Sequence, residues 1–371
     1  MCVQTSTGHM DASHKLTVTI RNAARHSPYG PQDAFTGTVH YSNAEELPAG
    51  SVVVSFGAIC TIDEYDEDGT QIAHQERIIT QKDLVVHHNP DPNPAKTTST
   101  WGFACRFANM NRHLPSFYYR SPDWRRCAKI EYVVTATVKS DGLPDGVLEC
   151  RQTIDYWPSR EQEIVPGDIG TRADQMLTVT TSRTDARPSW KRRPQMLRLK
   201  KALRLIKTEK MLVTVVLEAP RFVVFEKDLD IKVALRHAGL SGRRDGNFYL
   251  DHVDYRLFAI TRIGGRESPQ NRELVQQQRS LPLRTTRLSY VVSSLSRNHT
   301  AMKIVPHVAD IVLDNGARTT ITPTFGSPYI FREYSLDVDI YIAYQDETYR
   351  ARFENVELIL LPPDIHHSSI P

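Results

Sequence analysis

Short stretches in which apolar and polar residues alternate recur along the whole chain. Alternation with a period of two places successive side chains on opposite faces of a β-strand. Turn-forming pairs such as Asp68-Gly69, Asp245-Gly246 and Asn315-Gly316 separate these stretches. The pattern predicts an all-β protein. The predicted strands comprise residues 16–20, 37–41, 52–56, 130–138, 211–217, 229–235, 253–260, 334–344 and 349–353.

The length of the chain and one interruption of the pattern predict two domains. Antiparallel strands with one apolar face usually close into sandwiches, and 371 residues suffice for two of them. Prolines and glycines without sustained alternation run from Pro158 to Pro194. We therefore predict an N-terminal sandwich over residues 1–157, a linker over 158–208, a C-terminal sandwich over 209–362 and a tail over 363–371.

A motif near the end of each half supports a tandem arrangement. Pro115-Ser116-Phe117 precedes a long alternating strand over residues 130–138, and Pro323-Thr324-Phe325 precedes another over 330–340. The proline and the phenylalanine fix how the chain enters a late strand, and the alternate apolar positions fill a core. Two similar, immunoglobulin-like β-sandwiches are the expected fold.

The charge of the chain is concentrated in one segment. The whole chain has 46 basic and 43 acidic residues, a net charge of +3, but residues 187–210 contain ten basic residues and one acid, Glu209. The remainder is mildly acidic. Apolar residues recur at spacings of three and four within this segment, which predicts a short amphipathic basic helix beginning at or after Pro194. The apolar residues are Met196, Leu199, Leu203 and Ile206.

Several roles suit such a helix. It could pack its apolar stripe on the adjacent sandwich and leave its charges in water, lie on an anionic membrane surface, or bind a phosphorylated protein. We do not expect nucleic-acid binding, because Trp190 is the only aromatic residue there that could stack on a base. The candidate contacts to phosphate or anionic lipid are Lys191, Arg192, Arg193, Lys200, Lys201 and Arg204.

Signatures of catalysis are missing from the sequence. There is no Gly-x-Ser-x-Gly elbow, His-Glu-x-x-His motif, phosphate-binding loop or dinucleotide-binding turn. The five cysteines form no Cys-x-x-Cys pair, and buried, reduced thiols are the expected state of Cys105 and Cys127. We expect no enzymatic activity, no cofactor and no metal site. The polar N-terminus and the lack of a long apolar run predict a cytoplasmic protein, in part peripheral at membranes.

The chain resembles the arrestin family, and especially the arrestin-like proteins of fungi. In the first half the resemblance rests on residues 16–20, 35–39, 50–58, 114–117 and 130–134, and in the second half on 211–217, 323–325, 330–336 and 358–362. These are motifs of the fold and not of an active site, so they bear on architecture more than on what is bound.

The resemblance implies a two-lobed cytosolic adaptor that binds membrane-protein cargo and meets phosphates or anionic lipid in trafficking, endocytosis or signalling. Many fungal relatives recruit a ubiquitin ligase through a Pro-Pro-x-Tyr motif. Pro362-Pro363 is followed here by Asp364-Ile365, so ligase recruitment is not expected. Two alternatives remain open: a trafficking-coat scaffold without phosphate dependence, and a small-molecule-binding or enzymatic protein that reuses the fold.

Overall fold

The chain folds into β-strands throughout its described parts, which confirms the all-β prediction. The computed structural model describes residues 14–21, 28–31, 33–43, 51–88, 98–107, 114–139, 143, 146–158, 169–183, 207–237, 248–264, 270–280, 287–288, 301–304, 307–312, 318–344 and 347–362. Within these ranges no helix has the length and apolar character needed to cross a membrane.

The strands fall into a first half, β1 to β8, and a second half, β9 to β22. Those of the first half are β1 (His14–Ile20), β2 (Ala34–Asn43), β3 (Ser51–Tyr65), β4 (Gln71–His88), β5 (Thr98–Arg106), β6 (Phe117–Arg120), β7 (Arg126–Lys139) and β8 (Val147–Ile154). Those of the second half are β9 (Ile169–Arg183), β10 (Lys207–Pro220), β11 (Phe222–Val224), β12 (Asp228–Asp230), β13 (Lys232–His237), β14 (Phe248–Ile263), β15 (Gln270–Ser280), β16 (Arg287–Leu288), β17 (Ala301–Lys303), β18 (His307–Val312), β19 (Arg318–Ile321), β20 (Phe325–Gly326), β21 (Ile330–Tyr344) and β22 (Glu347–Leu361).

Two hydrophobic cores organise these strands. The first core takes buried side chains from the sheet β1-β2-β5 and from the sheet containing β6-β7-β3-β4. The second core takes them from the sheet β13-β10-β9 and from the sheet β11-β22-β21-β14-β15. Alternation produces both, because every second residue of β3 from Val52 to Cys60 is buried while its neighbours are half-buried.

The two halves share one sheet. Its strand order is β18-β19-β6-β7-β3-β4, so β19 of the second half pairs with β6 of the first. The side chains of Phe117 and Phe325, one from each Pro-x-Phe motif, meet edge to face with ring centroids 5.3 Å apart. Ile263 and Ile330 of the second half join the first core. The halves therefore meet through backbone pairing as well as through side chains.

The two Pro-x-Phe motifs make the same hydrogen bonds. Ser116 donates its backbone N–H to the carbonyl of Tyr156 (2.8 Å), and its hydroxyl accepts from the N–H of Tyr156 (2.9 Å). Thr324 and Leu360 make the same two bonds, both 2.9 Å long. We call each arrangement a closing clamp, because it ties the motif to the end of its own half.

A tyrosine adds a third bond to each closing clamp. The hydroxyl of Tyr132 donates to the carbonyl of Leu114 (2.6 Å), and that of Tyr334 donates to the carbonyl of Thr322 (2.8 Å). Leu114 and Thr322 directly precede the prolines of their motifs. The correspondence read from the sequence thus has a counterpart in the hydrogen bonding.

The predicted linker is wrong in its secondary structure. Residues 158–208 were expected to lack strands, but β9 occupies Ile169–Arg183 and β10 already begins at Lys207. The side chains of β9 alternate between half-buried and exposed positions. Polar residues, Thr171 and Gln175, occupy two of the half-buried positions, so the strand shows no alternation of apolar and polar residues. The strand predicted over 229–235 is also broken, because β12 and β13 flank the buried Ile231. The predicted helix lies outside the described residues.

Candidate functional site

The basic segment connects two paired strands. β9 and β10 are antiparallel, and their register runs to the pair Arg183 and Lys207. Residues 184–206, which we call the basic connection, therefore leave and rejoin the sheet at one point. They contain eight basic residues and one acid, Asp185. All the predicted contact residues fall within the basic connection, outside the described residues: Lys191, Arg192, Arg193, Lys200, Lys201 and Arg204.

A buried arginine lies where the two halves meet. Arg332 on β21 is fully buried. Its guanidinium donates to the hydroxyls of Thr261 (2.5 Å) and Thr319 (2.9 Å), and to the carbonyl of Thr320 (3.0 Å). Its Nε donates to the hydroxyl of Tyr334 (3.3 Å). These oxygens from three strands replace the water that a guanidinium loses on burial.

A buried carboxylate accompanies this arginine. Glu273 on β15 is 3% exposed, and its carboxylate interacts with the hydroxyl of Tyr119 and with the charge of Arg332. Burial raises the pKa of the Glu273 carboxyl above its ordinary value, and the positive charge of Arg332 opposes that shift. The pKa of the buried Tyr119 hydroxyl is raised as well, first by burial and then by the charge of Glu273. We call Arg332, Glu273 and Tyr119 the junction cluster.

Arginines cover aspartates on the outer face of the second half. Asp339, 3% exposed, accepts from Arg256 (3.0 Å) and from Arg350 (2.6 Å). Asp337, 2% exposed, accepts from Arg272 (2.8 Å). The carboxylates lie beneath and the guanidiniums above, so each buried charge is neutralised by hydrogen-bonded partners. This arrangement, an arginine layer over buried carboxylates, is structural.

A cleft opens on the outer face of the shared sheet. Its volume is about 190 Å³, below the roughly 300 Å³ at which small-molecule sites usually begin. Polar side chains line much of it, among them Ser116, Tyr118, Lys129, Glu131, Thr153 and Thr320.

The two buried thiols, Cys60 and Cys127, are poor nucleophiles. Burial raises the pKa of Cys60 to about 11, and it raises the pKa of Cys127. A thiol with a raised pKa stays protonated at neutral pH, and the protonated form does not attack or bind metal. Among the described residues, no three His, Cys, Asp or Glu side chains converge on a common point as metal ligands.

The sequence contained a signal for the junction cluster that its hydrophobic pattern did not single out. Arg332 occupies one of the alternate positions of the strand predicted after Pro323-Thr324-Phe325, among apolar residues that face a core. A charged residue at such a position implies either an error of register or a buried, hydrogen-bonded charge. Glu273 gave no such signal, because its neighbours along β15 do not alternate clearly.

No protein-family model matches the chain, and no curated protein sequence matches it.

Proposed function

We propose that this protein is an arrestin-like cytosolic adaptor built from two tandem β-sandwiches, which binds membrane-protein cargo or anionic phosphate groups through the basic connection. The paired ends of the basic connection are the observation that most favours this role. A segment whose flanking residues, Arg183 and Lys207, are cross-strand neighbours is presented by a hairpin and does not tether two domains.

The likeness of the two halves supports the proposed architecture. Both have a closing clamp with the same donors and acceptors, and both pair an early segment in parallel with the closing segment. In the first half Tyr29 bridges to Tyr156, and in the second half β11 pairs with β22. Repetition of such local geometry is expected of tandem copies of one sandwich.

Charge supports a role at anionic surfaces. Residues 184–206 have seven more positive than negative charges, whereas the chain as a whole has a net charge of only +3. Basic residues near an anionic surface contribute on the order of 1 kcal/mol each, and salt weakens that attraction. A single basic region on a body of opposite net charge orients the molecule toward phosphate or anionic lipid.

Liposome co-sedimentation tests the proposal. Wild-type protein is mixed with neutral vesicles and with phosphoinositide-containing vesicles at low and high salt. We expect binding to the phosphoinositide-containing vesicles that weakens at high salt. Binding should disappear when six residues are reversed to glutamate, a change we call the connection variant: Lys191, Arg192, Arg193, Lys200, Lys201 and Arg204.

A second variant tests whether vesicle binding depends on the position of the basic residues or only on the net charge of the protein. It reverses six exposed basic residues elsewhere, so both variants shift the net charge from +3 to −9. The control residues are Lys15, Arg21, Arg77, Arg106, Lys139 and Lys227. Equal loss in both variants would contradict the proposal, and so would salt-independent or absent vesicle binding, which would favour a scaffold without phosphate dependence.

A further inference from the structure

Two arginines face each other across the junction between the halves. Arg120 is the last residue of β6 and Arg318 the first of β19, and the two are directly paired in the antiparallel register. Side chains of directly opposed residues lie on the same face of a sheet, and like charges there repel. Neither arginine makes an ion pair with another described residue. The Nε of Arg120 is buried, and within the same described ranges it has no hydrogen-bond partner.

An exposed tryptophan holds this pair. The guanidinium carbon of Arg120 lies 4.0 Å from the ring centroid of Trp124, and that of Arg318 lies 5.4 Å from it. Trp124 is 44% exposed, and its φ of 63° is in the left-handed region that tryptophan rarely adopts. Stacking on a fixed ring restricts how a guanidinium can turn, so it is oriented before any ligand arrives.

The tight loop between β6 and β7 fixes the position of the Trp124 ring. Ser121 accepts the N–H of Trp124 at its carbonyl (3.0 Å), and its hydroxyl accepts the N–H of Arg126 (2.9 Å). The neighbouring Arg125 is already occupied, because it donates to Glu67 (2.6 Å). Arg125 in this loop is therefore paired with a carboxylate, whereas Arg120 at the end of β6 makes no ion pair with another described residue.

The rest of the molecule shows what such arginine pairs bind. On the outer face of the second half, Arg256 and Arg350 together hold the carboxylate of Asp339. Arg120 and Arg318 likewise lie on neighbouring strands with both guanidiniums near the ring of Trp124, but neither makes an ion pair with a described carboxylate. A carboxylate is planar and small, and it matches the fork of a guanidinium.

We propose that Arg120 and Arg318 bind a carboxylate side chain of an acidic peptide segment in a partner protein. The cleft on the shared sheet adjoins the pair, because Tyr118 and Thr320 in its wall lie two residues from the arginines on the same strands and face. It is too small for a cofactor, so it receives the peptide beside the bound carboxylate. This site includes no residue of the basic connection, so the proposed function of the connection can fail without affecting it.

The test measures the binding of a labelled peptide of alternating Glu and Ala by fluorescence anisotropy. Full-length protein containing the connection variant is the background, so that the basic connection cannot capture the peptide. Arg318→Gln should weaken binding about tenfold or more, because it removes a charge-assisted hydrogen bond. Arg125→Gln removes the same charge from the residue next to Trp124 and should change affinity less than about twofold.

Further measurements identify the ligand and check that the variants fold. The Gln/Ala counterpart of the peptide should not bind, and Trp124→Phe should reduce the change in tryptophan emission that accompanies binding. Circular dichroism and thermal melting confirm that Arg318→Gln is folded, and Arg120→Gln is the second variant if it is not. Equal weakening by Arg125→Gln would overturn the site. Tighter binding of a phosphoserine/Ala peptide, or competition by inorganic phosphate, would overturn the assignment to a carboxylate.

Discussion

The two halves of the chain differ in one buried residue where their matching clamps approach each other. In each half a buried tyrosine, Tyr132 or Tyr334, donates to the carbonyl before the proline of the motif. Two residues before that tyrosine, the first half has Ile130 and the second has Arg332, and both are almost completely buried. The same backbone arrangement thus accommodates an apolar side chain in one half and a charged one in the other.

The difference shows what a buried charge requires. Ile130 needs only apolar neighbours, whereas Arg332 needs the hydroxyls and carbonyl that surround it and contacts the ring of Phe117 from the other half. Its position at the meeting point explains Thr319 of β19, whose buried hydroxyl accepts from the guanidinium where an aliphatic side chain could not. These polar groups fix the position of β19 relative to β21, because a one-residue slip of β19 would turn the hydroxyl of Thr319 away from the guanidinium.

Removing the buried arginine should cause the largest change in the free energy of unfolding. Arg332→Ala leaves Glu273 buried without a nearby positive charge and opens a cavity, so we expect a loss of about 3 to 5 kcal/mol in the free energy of unfolding. Urea denaturation measures it. The double variant Arg332→Met with Glu273→Met replaces both charges by apolar groups and should recover most of the loss. A double variant as unstable as Arg332→Ala would show that the charge is not the cause.

The two tyrosine hydroxyls should be unequal. Tyr132→Phe removes one hydrogen bond and should cost about 1 kcal/mol. Tyr334→Phe should cost about 2 kcal/mol, because its hydroxyl also accepts from the N–H of Thr322 (3.1 Å) and from Arg332. Urea denaturation of the two variants side by side decides the point. Equal losses would mean that the buried arginine draws no stability from Tyr334.

The sequence predicted the repeated parts of the fold better than the parts that differ. Alternation located many of the core strands, and the paired Pro-x-Phe motifs marked the positions at which the clamps lie, because both are local patterns. Alternation did not locate β9, because the half-buried face of that strand includes the polar residues Thr171 and Gln175. It also did not predict that Arg120 and Arg318, which are 198 residues apart, are paired across neighbouring strands. Contacts between strands that are distant in sequence depend on how the strands are aligned, and a local sequence pattern does not specify that alignment. The proposed carboxylate site arises from such a contact.

Raising the pH should weaken the junction cluster through Glu273. Its pKa is raised in the folded protein above the ordinary 4.5, so the folded state binds the proton more tightly than the unfolded state does. Its contribution to stability is therefore complete at low pH and falls as pH rises from the ordinary pKa through the raised one. We expect the free energy of unfolding of wild type, relative to Glu273→Gln, to fall as the pH rises from about 4 toward neutrality. The fall should be about 1.4 kcal/mol for every pH unit that separates the folded and unfolded pKa values.

The control for this pH dependence is an exposed carboxylate of the same half. Glu357 on β22 is exposed, and Glu357→Gln should show no comparable trend relative to wild type. A difference between wild type and Glu273→Gln that stays constant or grows with pH would contradict the prediction, since it would mean that folding does not favour the protonated carboxyl.

The smallest expected effect comes from the two hydroxyl side chains that have the same role in the two clamps. Ser116→Ala and Thr324→Val each remove the oxygen that accepts a backbone N–H, from Tyr156 and Leu360 respectively. Each should lower the free energy of unfolding by about 1 kcal/mol, as loss of one partly buried hydrogen bond does. Thr135→Val, at a half-buried position of β7, controls for the change from threonine to valine in a strand. Similar losses would show that the clamps are energetically as well as geometrically equivalent, and a clear inequality would confine the likeness of the halves to their geometry.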